Sequence, residues 1–199
     1  MREFPTEYHQ QRGIQMYPET IGRIVGDFLE IGPGRGDLLL DLAARYPHKA
    51  ITGIELAGRR YFKLIRRLEK RNITNVRLVW APAQIVVPSL CAAASFERIY
   101  VLFPDPWPKK RHLPHRLLTV PFLAMLAELL SPSGSFFFAT DFQEYALWVV
   151  ENLKETHGLE IQGAPFTRQD DVADYFPTFF EQKWRDAGRE IFYLHCRRP

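Results

Sequence analysis

Val25-Gly-Asp-Phe-Leu-Glu-Ile31, followed at once by Gly32-Pro-Gly-Arg-Gly36, decides the fold. The run closes on apolar residues and reads as a buried strand. The glycines after it turn the chain with no side chains in the way. From Asp37 to Tyr46, Leu38, Leu39 and Leu42 recur at helical spacing until Pro47 stops them. Strand, glycine turn and helix together form the unit in which a nucleotide-like ligand meets bare backbone at a helix start. The spacing is Gly-x-Gly-x-Gly, at Gly32, Gly34 and Gly36, and not the Gly-x-Gly-x-x-Gly of dinucleotide folds. Glu30 stands two residues before Gly32, where a carboxylate repels a pyrophosphate and attracts an ammonium or sulfonium. Glu55 follows Gly36 by 19 residues, close to the offset at which an acid accepts from ribose hydroxyls. The two acids favour S-adenosylmethionine as cofactor over a nicotinamide dinucleotide. A nicotinamide-dependent oxidoreductase on a similar sheet is the rival reading.

The pattern repeats downstream. Ala50–Ile54 is a short second strand, and residues 58–71 carry Tyr61, Leu64, Ile65 and Leu68 on one helical face. Val76–Trp80 is a third strand, with a weaker helix around 83–94, and Arg98–Phe103 is a fourth. Thr119 or Val120 caps the next helix, with Pro121 in its first turn, and Ser131-Pro-Ser-Gly134 ends it. Ser135–Ala139 is a fifth strand, and a helix runs from Asp141 to about Thr156. A strand at 159–163, a long loop, a helix near 178–187 and a strand at 191–196 close the chain. Strands alternating with helices predict a doubly wound, mostly parallel α/β sheet, with the last two strands antiparallel at one edge. Residues 1–20 read as an N-terminal arm, and 21–199 as a single domain.

The fourth strand breaks into Phe103-Pro-Asp-Pro-Trp-Pro-Lys-Lys-Arg-His112. Three prolines in five residues make a stiff loop, because each fixes φ and removes an N–H donor. An acid held there, Asp105, lies at the strand end where open α/β sheets place their chemistry. Lys109, Lys110, Arg111, His112, His115 and Arg116 follow it directly. The 58–71 helix adds Arg59, Arg60, Lys63, Arg66, Arg67, Lys70 and Arg71 against one acid. Phosphate contacts from such groups would position an RNA near Asp105.

The 199 residues are 46% hydrophobic and 25% charged with a net charge of +3, an ordinary balance for one soluble domain. Cys91 and Cys196 stand at no metal or redox spacing, so two thiols in a reducing compartment and no metal are expected. No apolar run reaches membrane-spanning length, and Met1-Arg-Glu-Phe-Pro5 lacks the apolar core of a signal peptide. The expectation is a cytoplasmic protein without membrane contact.

Glu30-Ile-Gly-Pro-Gly-Arg-Gly36, Gly53-Ile-Glu55, Phe103–His112, Ala139-Thr-Asp141 and Thr178-Phe-Phe-Glu181 resemble, in order and spacing, the bacterial tRNA (guanine-N7-)-methyltransferases. The resemblance spans roughly residues 28–197, and the Pro-rich string is its most specific part. It implies a class I methyltransferase fold that moves a methyl group from S-adenosylmethionine to N7 of a variable-loop guanine in tRNA. It places Glu30, Glu55 and Asp105 at the cofactor, with Asp105 also catalytic. Lys109, Asp141, Thr178, Phe179, Phe180 and Glu181 fall to the substrate nucleotide, and Lys110, Arg111, His112 and Arg116 to the RNA. Monomer and homodimer both agree with it. Where the family carries an acid after the third strand, this chain reads Ala81-Pro82-Ala83, so at Pro82 the cofactor's adenine loses a carboxylate acceptor. A catalytically silent RNA-binding module is a further rival, and retention of Asp105, Asp141, Thr178 and Glu181 argues against it.

Overall fold

In the computed structural model, residues 22–163, 165–166 and 175–199 are described, and the arm expected at 1–20 lies outside them. Seven strands form one sheet in the order β3-β2-β1-β4-β5-β7-β6. They are β1 (Phe28–Ile31), β2 (Ile51–Glu55), β3 (Val76–Trp80), β4 (Phe96–Leu102), β5 (Leu130–Thr140), β6 (Glu160–Ile161) and β7 (Phe192–Arg197). The first five are parallel, and β7 runs antiparallel to both β5 and β6. The antiparallel pairing expected for the last two strands is therefore present.

The helices are α1 (Asp37–Arg45), α2 (Gly58–Lys70), α3 (Ala83–Leu90), α4 (Val120–Leu129), α5 (Gln143–Lys154) and α6 (Phe179–Asp186). The central strands are apolar on both faces because both faces are covered. Three successive phenylalanines on β5 show the alternation. Phe136 and Phe138 join the core under α3, α4 and α5, while Phe137 joins Phe28, Tyr100 and Tyr193 in the core with α1 and α2. α1 contributes Leu38, Leu39, Leu40 and Leu42, all buried, and α2 contributes Leu64 and Leu68.

The boundaries depart from the sequence pattern where a tertiary partner intervenes. β1 starts at Phe28, since Val25 is 61% exposed and the Asp27 carboxylate turns aside to accept from the Ala50 N–H at 2.7 Å. β5 starts at Leu130, which pairs with Phe96 ahead of an irregularity between Phe96 and Arg98. β6 keeps two residues, and α3 ends at Leu90 with Pro88 inside it. Lys110–His115, read as loop, winds into a 3₁₀ turn.

Candidate active site

The carboxyl ends of β1, β2, β4 and β5 open on the same edge of the sheet, and the acids of interest stand there. Gly32, Gly34 and Gly36 all take positive φ, at 76°, 55° and 74°. At Gly36 a Cβ would also come within 2.3 Å of Leu64 Cδ1, so a larger residue there strains the backbone and displaces a buried leucine methyl. Glu55 clasps this turn. Its Oε2 accepts from the Gly34 N–H at 2.9 Å and its Oε1 from the Ala57 N–H at 2.8 Å, with the residue 3% exposed.

Glu30 is equally buried, but its Oε2 has no hydrogen-bond partner. Burial, then the charges of Asp37 and Glu55, push its carboxyl up to about 8. A buried acid that is short of a partner is poised to ionise when a cation arrives beside it.

The Pro-rich loop leaves β4 through strained backbone. Phe103 and Trp107 sit at φ 50° and 45°, and the Phe103 N–H donates to the Ala139 carbonyl at 2.7 Å. Asp105 between them is exposed. Arg116 holds the loop from behind. It is 4% exposed, its Nε donates to the Pro106 carbonyl at 2.8 Å, and its guanidinium lies 4.9 Å from the Tyr145 ring and 5.2 Å from that of Trp148 on α5. The Trp107 ring gathers His115 at 5.2 Å and His112 at 5.5 Å. Lys109, Lys110 and Arg111 point to solvent.

Asp141, just past β5, pairs with Arg189. α6 lies against the glycine turn. Thr178 caps it, its Oγ1 accepting from the Glu181 N–H at 3.2 Å. Asp37 Oδ2 accepts from the Phe179 N–H at 3.2 Å, and the Arg35 guanidinium covers the Phe179 ring at 3.9 Å. Phe180 stands 3.7 Å from where a Gly34 Cβ would be. Glu181 turns inward, fully buried, accepting from the hydroxyls of Tyr175 and Tyr193 and from Arg185 Nε at 3.0 Å. Burial, then the Glu181 carboxylate, raise the Tyr175 hydroxyl well above 10, so Tyr175 remains a donor.

A family model described as "Putative methyltransferase" matches residues 26–194. A tRNA (guanine-N(7)-)-methyltransferase of Syntrophotalea carbinolica is 35% identical over 202 residues, covering 100% of this chain and 87% of its own length. The enzyme of that name from Nitrosomonas eutropha is 33% identical over 177 residues, covering 85% and 75%. The chain belongs to the tRNA (guanine-N7-)-methyltransferase family. Among solved structures, the 16S rRNA methyltransferase KamB superposes with a TM-score of 0.64 at 15% identity, covering 100% of this chain and 96% of its own. An antibiotic-related methyltransferase gives 0.61 at 16% identity, covering 99% and 96%. These two speak for the class I methyltransferase fold alone.

Set against the roles the family resemblance implies, the structure gathers Glu30, Glu55 and the glycine turn in one place, with Asp105 and Asp141 on the next strands along. Two residues are placed otherwise. Arg116, expected on the RNA, is buried as a brace for the Pro-rich loop. Glu181, expected on the substrate nucleotide, has its carboxylate committed to two tyrosines and an arginine. Thr178 is 9% exposed and serves as a helix cap, whereas Phe179 is 46% exposed. Pro82 is buried as the N-cap of α3, its carbonyl accepting from the Ile85 and Val86 N–H groups. Beside it, Trp80 Nε1 donates to the Leu56 carbonyl at 3.1 Å, and the ring fills the space a Gly58 Cβ would need, 2.7 Å away.

Sequence reasoning missed Asp37, Tyr175, Arg185, Arg189 and Tyr193. Asp37 had a visible signal, an acid in the first turn of a helix, and Thr178-x-x-Glu181 is a capping-box spacing. The others carry no local pattern. Of the basic face of α2, Arg67 turns back to donate to Asp37 Oδ1 at 3.2 Å, while Arg59, Arg60, Lys63, Arg66, Lys70 and Arg71 remain exposed. Among the described residues, no helix is long and apolar enough to cross a membrane, and no cluster of three or more His, Cys, Asp or Glu could hold a metal. Both cysteines are unbridged, and burial pushes each thiol up to about 12.

Proposed function

We propose that this chain methylates N7 of a variable-loop guanine in tRNA, with S-adenosylmethionine as donor, in the cytoplasm. The observation that carries the reading is Glu30, buried and one partner short beneath a left-handed glycine turn, on the strand next to the one that presents Asp105. The residues present fit the donor. Glu30 offers a carboxylate to a cation, Gly32 leaves open space where a Cβ would project, and each Glu55 oxygen keeps a second lone pair for a ribose hydroxyl.

Bound, S-adenosylmethionine supplies an electrophilic methyl group. Guanine N7 carries an in-plane lone pair and no proton, so the protein needs no general base. Its task is alignment, which can remove on the order of 7–11 kcal/mol of barrier. Asp105, fixed by the Pro-rich loop, stabilises the positive charge that develops on the purine. Asp141 accepts from the guanine N1–H and N2–H₂ edge, as carboxylates do toward amino edges. Lys109, Lys110 and Arg111 hold phosphates around an unstacked nucleotide, because N7 is out of reach in the deep groove of an A-form duplex.

The test is transfer of labelled methyl from S-adenosylmethionine to bulk tRNA, followed by nuclease mapping of the labelled base. Label in 7-methylguanine of the variable loop is expected. Label in another base overturns the reading, and tRNA binding without transfer favours the silent RNA-binding module.

A further inference from the structure

Asp141 is 14% exposed at its side chain, and its Oδ2 accepts from Nη1 of Arg189. The arginine is held for this contact. Its guanidinium carbon stands 3.8 Å from the centroid of the Trp184 ring, and its backbone N–H donates to the Trp184 carbonyl at 2.9 Å just beyond α6. Stacking and backbone bond together aim the guanidinium at the end of β5 instead of leaving it to sweep through solvent.

The chemistry of the two partners of Asp141 is alike. A guanidinium presents parallel N–H donors as a planar fork, and the N1–H and N2–H₂ edge of guanine presents the same fork to a carboxylate. We propose that Arg189 is an internal stand-in for the guanine edge: it occupies Asp141 while no nucleotide is bound, and the target guanine displaces it. Arg189 thereby keeps the Asp141 carboxylate aimed, and it lowers the apparent affinity for tRNA by the fraction of molecules in which the acid is engaged. The proposal rests on Asp141 holding guanine, as stated under the proposed function. Its sign is unusual. Removing a cation from the surface of an RNA-binding protein ordinarily weakens RNA binding, whereas removing this one strengthens it.

The experiment measures methyl transfer to bulk tRNA by wild type, Arg189→Ala, Arg189→Gln and Asp141→Asn, with thermal unfolding to confirm that each is folded. Arg189→Ala is expected to lower KM for tRNA roughly three- to tenfold, the range for removing a competitor that occupies the site most of the time. Arg189→Gln, which keeps a donor but loses the charged fork, falls between and serves where the alanine variant does not fold. A KM that is unchanged or raised in both Arg189 variants overturns the stand-in. Loss of transfer in Asp141→Asn together with that result sinks the stand-in alone. Full transfer by Asp141→Asn at wild-type KM sinks the guanine role of Asp141, and the stand-in with it.

Discussion

Arg116→Ala separates two readings of one residue. From the sequence, Arg116 is the last member of a basic run that would grip RNA. In the structure it is buried, bonded to the Pro106 carbonyl and stacked against Tyr145 and Trp148. The lost hydrogen bond from a charged donor is worth about 1.5–3 kcal/mol, and the lost ring contacts about 0.5–2 kcal/mol. Their sum, taken on stability, lowers Tm by roughly 5–15 °C for a domain of this size. On the catalytic role proposed for Asp105 the consequence for turnover is larger, because Pro106 follows Asp105 directly. The loop carries left-handed backbone at Phe103 and Trp107, strain of about 1–3 kcal/mol at each that persists only while its surroundings impose it. Without the brace the loop relaxes, and a displacement near 1 Å at a reacting group costs about a hundredfold in rate. The expected result is therefore kcat reduced about a hundredfold, with tRNA affinity and its salt dependence near wild type. Arg116→Lys, which keeps the charge but not the planar fork, should fall between. The assay is steady-state methyl transfer at two salt concentrations, alongside thermal unfolding. If Arg116→Ala keeps its kcat and loses tRNA affinity with a flatter salt slope, Arg116 is a phosphate contact and the brace is wrong.

Glu30 predicts a pH dependence. Its carboxyl titrates at about 8 in the folded protein against 4.5 for an ordinary glutamate, so the native state holds the extra proton between those values. Its contribution to stability is full below about pH 4.5 and falls as pH rises through 8. A cation bound beside it must expel that proton, so calorimetry should show S-adenosylmethionine binding tighten from pH 6 to 8 with proton release, and Glu30→Gln should abolish that slope. Gly36→Ala must take φ 74° and meet Leu64, costing about 1–2 kcal/mol for the left-handed backbone and more for the overlap; a urea midpoint matching wild type would refute this. Lys109→Ala, Lys110→Ala and Arg111→Ala should each weaken tRNA binding across sequences and reduce the salt slope by about one, read by filter binding. Amide hydrogen exchange should be faster in α6 than in α4 and should slow when S-adenosylmethionine is added; equal protection of the two helices would show that α6 is seated as firmly as α4.

Most of the architecture was legible because it rests on local signals. Apolar runs of strand length, apolar residues at helical spacing and a proline or glycine at several of the boundaries placed the five parallel strands and the helices between them. What escaped was set by partners distant in sequence. Leu130 belongs to β5 only because Phe96 lies beside it, and Val25 leaves β1 because Asp27 bonds across to Ala50. The site divides in the same way. A strand end beside glycine or proline locates Glu30 and Asp105, since those residue types break a sheet wherever they occur, while Glu55 and Asp141 stand out as acids at the close of apolar runs. What each acid holds depends on chain 21 residues away for Glu55 and Gly34, 48 for Asp141 and Arg189, and 142 for Asp37 and Phe179. Arg116 reads as one more cation in a basic run, and the ring faces that receive it stand on a helix nothing in that run announces.

Those distant contacts give α6 a part its length does not suggest. It has eight residues, and Glu181 is the one side chain it fully buries, so it gains little from apolar packing. It is held by polar ties: the Phe179 N–H on Asp37, the Arg35 guanidinium on the Phe179 ring, and the Glu181 carboxylate under Tyr175 and Tyr193. Hydrogen bonds of this kind contribute about 0.5–3 kcal/mol each, against the several bulky side chains that seat α4. A helix fixed in this way opens at lower cost than the sheet it rests on. Its first turn meets the glycine loop through Phe180 and Gly34, and the residue three positions past its end meets Asp141. Whatever settles against the glycine loop therefore bears on the same short helix that positions Arg189 on Asp141. On the roles proposed for Glu30 and Asp141, cofactor and guanine are coupled through α6 without any movement of the strands that lead to them.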